Sequence, residues 1–318
     1  MSSEENTQII EKKALIEKVI AEVHKKIIGQ EKLVRDLIIG LLTGGHILLE
    51  WVPWVAKTLT IDTLSKTIDL DFSRVQFTPD LLPSDLIGTQ IYNQSKSDFE
   101  TKKGPIFTNF LLADEINRAP SKVQSALLEA MAEKQITIWE ESYKLDTPFI
   151  VLATQNPIEQ SGTYKLPEAE LDRFMMKSYV EYPTQLEEAE ILSKLDSIEH
   201  DKVAKILTKK EILEIQKIVW DIHVSENIIA YITDIISATR AKHQYLSYWV
   251  SPRWSISLVK SAKVVAFLDW RDFVIPEDIK EIAGSVLSHR LVLNYDAIAE
   301  DVTAESIVSE ILNSVKIK

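Results

Sequence analysis

The sequence predicts an α/β domain built on a mostly parallel sheet, followed by a smaller domain made only of helices. Two observations carry that prediction. Short apolar runs at His46–Leu49, Phe110–Ala113 and Phe149–Ala153 alternate with stretches of helical periodicity as far as about Pro183. Strands buried on both faces read this way, and strand–helix alternation implies parallel neighbours covered on both sides. Beyond Pro183 only helical periodicity remains. The predicted boundaries are residues 1–185 for the α/β domain and 186–318 for the helical one.

The elements follow in order. Ile10, Ala14, Ile16, Val19, Ile20 and Val23 recur at helical spacing within Ile9–Ile27. Ile28-Gly29-Gln30 breaks that helix, Glu31–Leu42 forms the next, and Gly44-Gly45 turns into the strand at His46–Leu49. Lys57–Ile68 is again helical, and Phe72–Phe77 is a second strand. Pro79–Thr108 reads as an inserted hairpin or loop region punctuated by Gly88 and Gly104-Pro105. The strand Phe110–Ala113 ends in Asp114-Glu115, and Pro120 leads into a helix over Val123–Lys134. A hairpin turning near Trp139, the strand Phe149–Ala153 and a short strand at Lys177–Val180 complete the first domain. In the second, helices are predicted over Glu187–Leu195, Lys209–Val219, Glu226–Lys242, Pro252–Leu268 and Pro276–His289.

Composition narrows the function classes. The 318 residues are 45 % apolar and 26 % charged, ordinary for a water-soluble chain of two domains. No apolar run is long enough to cross a bilayer, and Met1–Lys13 is too polar for a secretory signal. With no cysteine, disulfide and thiolate chemistry are excluded, and the cytoplasm is the expected compartment. A net charge of -12 argues against nucleic acid as a partner. The histidines His24, His46, His200, His223, His243 and His289 lack metal-ligand spacing and read as structural or surface residues.

Three strand ends carry chemistry. Lys57-Thr58 opens a helix after an apolar strand, the context in which a lysine reaches terminal phosphates and a threonine hydroxyl ligates magnesium. Alone, such a pair is better read as a surface helix start. Asp114-Glu115 at the next strand tip can hold the metal (Asp114) and polarise an attacking water (Glu115). Asn156, in Ala153-Thr154-Gln155-Asn156-Pro157, ends a third buried strand, where ligands of open α/β sheets gather. An Asn-Pro turn is the plainer reading of that dipeptide. Arg173 and Arg253 are candidates to stabilise phosphoryl-transfer charge, although an isolated arginine is more often a structural ion pair.

Taken together, these stretches resemble the MoxR family of AAA+ ATPases over about Ile27–Leu291. The resemblance is carried by Ile28-Gly29-Gln30, Gly44–Glu50, Val55-Ala56-Lys57-Thr58 and Gln76–Asp85. It continues through Leu112–Pro120, Ala153–Pro157, Gly162-Thr163-Tyr164, Leu166–Ala169, Leu171-Asp172-Arg173-Phe174 and Ser251-Pro252-Arg253. It implies an α/β AAA+ core with a helical lid, ATP and Mg2+ as ligands, and a phosphate loop formed by Trp51, Pro53, Trp54, Val55, Ala56, Lys57 and Thr58. It assigns Gln30 to the adenine side, Asn156 as sensor 1, Arg173 as an arginine finger acting in a neighbouring subunit, and Arg253 as sensor 2 on the lid. It further implies a homo-oligomer, usually a hexameric ring, that acts as a chaperone-like maturation factor on a protein client. Partners containing a von Willebrand factor A domain go with that role. A nucleotide-dead AAA+ scaffold is the alternative, and a chelatase-type motor a third.

The scaffold reading exists because of one departure. The family loop has glycine where this chain has Trp51 and Trp54. Glycine there permits backbone angles closed to other residues and a close approach of phosphate. The chain has 8 glycines where about 22 are usual, and 7 tryptophans. Trp139, Trp249 and Trp270 also fall at turn or cap positions suited to glycine, with Trp220 and Trp254 near helix ends. These tryptophans are read as glycines of the native protein, produced by decoding UGA with the wrong genetic code. A chain that had lost nucleotide binding would have no chemical reason to keep Lys57, Thr58, Asp114, Glu115, Asn156, Arg173 and Arg253 together.

Overall fold

A computed structural model describes residues 3–51, 57–155, 164, 166–180, 182–240, 244–247, 251 and 253–317. The α/β part runs α1 (Ser3–Val23), α2 (Glu31–Thr43), β1 (Ile47–Trp51), α3 (Lys57–Thr67), β2 (Phe72–Gln76), α4 (Pro83–Ile87), β3 (Gly88–Asn93), β4 (Asp98–Lys103) and β5 (Phe110–Asp114). It continues with α5 (Ser121–Glu133), β6 (Gln135–Ile138), β7 (Glu141–Lys144), β8 (Ile150–Gln155), α6 (Glu168–Leu171) and β9 (Met176–Val180). The rest is helical: α7 (Gln185–Ser193), α8 (Leu195–His200), α9 (Lys209–Trp220), α10 (Glu226–Arg240), α11 (Arg253–Leu268), α12 (Pro276–Leu287), α13 (Tyr295–Ala299) and α14 (Ala304–Ser314).

The five-stranded sheet has the order β2-β5-β8-β1-β9, and every pairing in it is parallel. Two antiparallel hairpins, β3–β4 and β6–β7, stand apart from it. The predicted insertion over Pro79–Thr108 is therefore the short helix α4 followed by the β3–β4 hairpin. Pro120 is the cap before α5 rather than its first residue, and Lys134 lies just past the helix in left-handed conformation.

Alternation along the strands divides the core. Ile47, Leu49, Phe110, Leu112, Ile150 and Leu152 face one side, and Leu48, Leu111, Ala113, Val151 and Ala153 the other. The first face packs against α1, α2 and α3 and is continuous with the helical region through Ile212, Leu258, Val265, Ile282 and Val286. The second packs under α5 and the hairpins, through Val123, Leu127, Ile136 and Ile138.

Local chemistry fixes the helices. Thr184 with Glu187 and Thr208 with Glu211 form reciprocal capping boxes at the starts of α7 and α9. Asp36, buried on α2, accepts from Ser178 of β9 at 2.6 Å and from Lys32 at 2.8 Å, which anchors α2 over the sheet edge. No helix among the described residues is long and apolar enough to cross a membrane.

Candidate nucleotide site

β1, β5 and β8 are adjacent parallel strands, so their carboxyl ends lie along one edge. β1 ends at Trp51 and α3 opens at Lys57, with Thr58 half-buried in its first turn. Residues 52–56, hence Pro53, Trp54, Val55 and Ala56, lie outside the described residues, as do Asn156 and the side chains of Trp51 and Lys57.

At the end of β5, Asp114 is 2 % exposed. Its carboxylate accepts from the Thr154 hydroxyl at 2.8 Å and from Arg74 Nη2 at 2.6 Å. Thr154 is the penultimate residue of β8, paired in register with Leu49 of β1. Its hydroxyl oxygen also accepts the Glu115 backbone N–H at 2.8 Å, so one side chain positions both acidic residues. Glu115 sits in left-handed conformation (φ 58°, ψ 51°), sparsely populated by non-glycine residues and common at functional sites. That turn lifts its carboxylate off the strand, where it accepts from Gln76 Nε2 at 3.0 Å and Arg118 Nε at 2.9 Å.

These donors fit magnesium. The cation takes oxygen ligands, and the buried Asp114 carboxylate at a strand tip and the Thr58 hydroxyl in the first turn of α3 are of that kind. Arg74 pairs with the Asp114 carboxylate and orients it. Two indoles at 51 and 54 are at odds with a phosphate cradle, which needs glycine for close backbone approach.

Gln30 caps α2 in left-handed conformation (φ 59°), next to Gly29 at φ 66°. The positive φ favours glycine at position 29; a Cβ there would also press on the Glu187 carboxylate, the movable end of a flexible side chain. Gly29 lies against Glu187 at the start of α7, which follows β9, so Gln30 is held on the side of the sheet where β9 ends.

Arg173 and Arg253 lie elsewhere. Arg173 precedes β9 and Arg253 opens α11, and both line a cavity of about 310 Å³ with His46, Lys134, Lys260 and Arg290. His46 precedes β1, so this basic cavity is at the amino-terminal edge of the sheet. Arg253 therefore lies at that amino-terminal edge. Its Nη1 lies 3.7 Å from Asp172. His46 itself is a neutral structural group: burial pushes its pKa down to about 4, Nδ1 accepts from Val151 N–H at 3.0 Å, and Nε2 faces the Met131 carbonyl at 3.3 Å.

The described tryptophans are of two kinds. Trp139 (φ 57°) and Trp270 (φ 61°) hold left-handed backbone and are largely exposed, so their positions suit glycine. Trp220 ends α9 and Trp254 lies inside α11, where the backbone makes no demand for glycine. Trp254 is buried and its indole N–H donates to Asp172 at 3.0 Å. Trp249 lies outside the described residues.

Sequence reading singled out Asp114 and Glu115 but gave no role to Arg74, Thr154, Asp172 or Arg290. The pairing of β2 with β5 and of β5 with β8 is what brings Arg74 and Thr154 to Asp114, and nothing local marks it.

Comparison with known proteins agrees with this geometry. The family model described as "ATPase family associated with various cellular activities (AAA)" matches residues 46–176, and an AAA lid domain model matches residues 238–311. The chain is 44 % identical to Chaperone MoxR1 of Mycobacterium tuberculosis over 308 residues, covering 94 % of this chain and 81 % of that one. It is 43 % identical to YeaC of Bacillus subtilis, covering 95 % of each. A Cytophaga hutchinsonii crystal structure, named as a candidate ATPase, superposes with a TM-score of 0.93 at 50 % identity, covering 98 % of this chain and 97 % of that one. A parallel sheet with an acidic pair at its carboxyl edge, a helical lid and these relatives lead to one assignment: the chain belongs to the MoxR family of AAA ATPases.

Proposed function

We propose that the native chain, with glycine at positions 51 and 54, binds ATP and magnesium and couples hydrolysis to remodelling of a partner protein. The observation that carries this reading is the Asp114–Thr154–Glu115 arrangement at the carboxyl ends of β5 and β8, with β1 the next strand. Lys57 and the loop Trp51, Pro53, Trp54, Val55 and Ala56 would hold phosphates, Gln30 would lie near the base, and Thr58 and Asp114 would hold the metal. Magnesium, when bound, neutralises phosphate charge. Glu115 polarises the attacking water and Asn156 positions it.

Arg173 and Arg253 lie at the opposite edge of the sheet, which supports a role on the nucleotide of a neighbouring subunit. A homo-oligomeric ring, hexameric by family habit, provides such a neighbour. The name of the Mycobacterium relative supports a chaperone-like role, and a von Willebrand factor A protein is the partner proposed, in the ATP-supplied cytoplasm.

The test is the mass of the tryptic peptide from Asp36 to Lys57, from source cells, together with ATPase turnover of the chain carrying Trp51→Gly and Trp54→Gly. Glycine masses at both positions with magnesium-dependent turnover sustain the proposal. Tryptophan masses at both positions, or no turnover from the glycine form, end it.

A further inference from the structure

Arg290 follows α12 with a side chain only 2 % exposed. Burial lowers its pKa to about 10, partly opposed by Asp172, so it carries its charge at neutral pH. Its contacts converge on one short turn of the α/β domain. Nη2 donates to the Phe174 carbonyl at 2.6 Å and to the Asp172 carbonyl at 3.5 Å, and Nε lies 3.4 Å from Asp172 Oδ1. His289 adds its Nε2 at 3.2 Å from the same Phe174 carbonyl. Nη1 donates back to Val286 of α12 at 3.2 Å, tying the group to its own helix. The residue between Asp172 and Phe174 is Arg173.

Arg173 sits on a turn between α6 and β9, outside regular structure. Such a residue takes its direction from what grips the turn. Here the grip is a buried guanidinium from the helical region, bound to the residues on both sides. Burying a cation there is costly, and an apolar side chain would fill the space at lower cost to stability. The spacing of its contacts is what an apolar residue cannot reproduce.

We propose that Arg290 is a positioning residue: by bracketing Arg173 through Asp172 and Phe174, it sets where that side chain stands at the subunit boundary. The inference rests on the reading of Arg173 as acting in a neighbouring subunit. Through it, the state of the lid is felt in the next subunit's site rather than in its own.

The experiment uses full chains with glycine at 51 and 54. Arg290→Gln is expected to lower kcat by about 100-fold, the scale of a misplacement near 1 Å, and to lower the thermal midpoint, while nucleotide affinity of the assembled protein stays near that of the parent. The decisive readout is mixing. Arg290→Gln subunits keep their own Asp114 and Glu115, whereas Glu115→Gln subunits keep Arg173 and Arg290. Mixed rings should therefore turn over ATP well above the sum of the two alone. An Arg173→Ala plus Glu115→Gln mixture tests the underlying reading separately. If that control recovers and the Arg290→Gln mixture does not, Arg290 acts within its own subunit and the proposal is overturned. If neither recovers, the trans role of Arg173 falls and the proposal falls with it. Unchanged kcat in Arg290→Gln also overturns it. Should Arg290→Gln fail to fold, Asp172→Asn removes the partner carboxylate from a less buried site and must pass or fail the same mixtures.

Discussion

The hydroxyl of Thr154 donates to the Asp114 carboxylate across 2.8 Å, and the same oxygen receives the N–H of Glu115. Thr154→Val removes donor and acceptor together, leaving two polar groups with a lost partner. Unfolding free energy in urea should fall by about 1–3 kcal/mol. Thr154→Ser should return most of it. Equal stability of the valine and serine variants would mean that water replaces the hydroxyl.

Glu115 is expected to act on the reaction and not on binding. In the glycine form, Glu115→Gln should retain ATP affinity while turnover drops by about 100- to 10,000-fold. The amide can still meet Arg118 and Gln76, so folding should be unaffected. Normal turnover in this variant would remove Glu115 from its role.

Trp139 and Trp270 pay for left-handed backbone that glycine adopts freely. Each tryptophan-to-glycine change should raise stability by about 1 kcal/mol, read as a higher urea midpoint. The gain should be larger at 139. The Trp270 ring lies 3.9 Å from the Lys13 ammonium, and that cation–π contact is lost with it. A lowered midpoint for Trp139→Gly would contradict the backbone argument.

Acid should weaken the fold through His46. Its folded pKa, about 4, is below the ordinary value of 6.5, so the unfolded chain binds the proton first as pH falls. The contribution is complete above pH 6.5 and is lost between 6.5 and about 4, to a total of about 3 kcal/mol. His46→Gln should start from lower stability but show a shallower decline across that window in pH-dependent thermal unfolding. Parallel curves for the two proteins would exclude His46 as a source of acid sensitivity.

The sheet was legible because Phe110–Ala113 and Phe149–Ala153 are apolar at every position, which only doubly covered strands tolerate. The acidic pair was legible because it interrupts such a run. Arg74 was not, because its meaning depends on the pairing of Gln76 with Asp114, some forty positions along the chain, and strand order is not written locally. The place of Arg253 was not legible, for a related reason. A helix start in the second domain names the residue but not which end of the first domain it meets. Trp139 and Trp270 were legible as misfits, since a tight hairpin turn and a helix end both favour glycine.

The apolar layer that runs without a break from the sheet into α9, α11 and α12 restricts how the lid can move. Swinging it open would bring Leu258, Val265, Ile282 and Val286 into water, at about 25 cal/mol for each Å² exposed. Sliding keeps that surface covered. Displacement of the lid would then be shear, a small sliding of helices over the sheet that leaves their apolar faces covered.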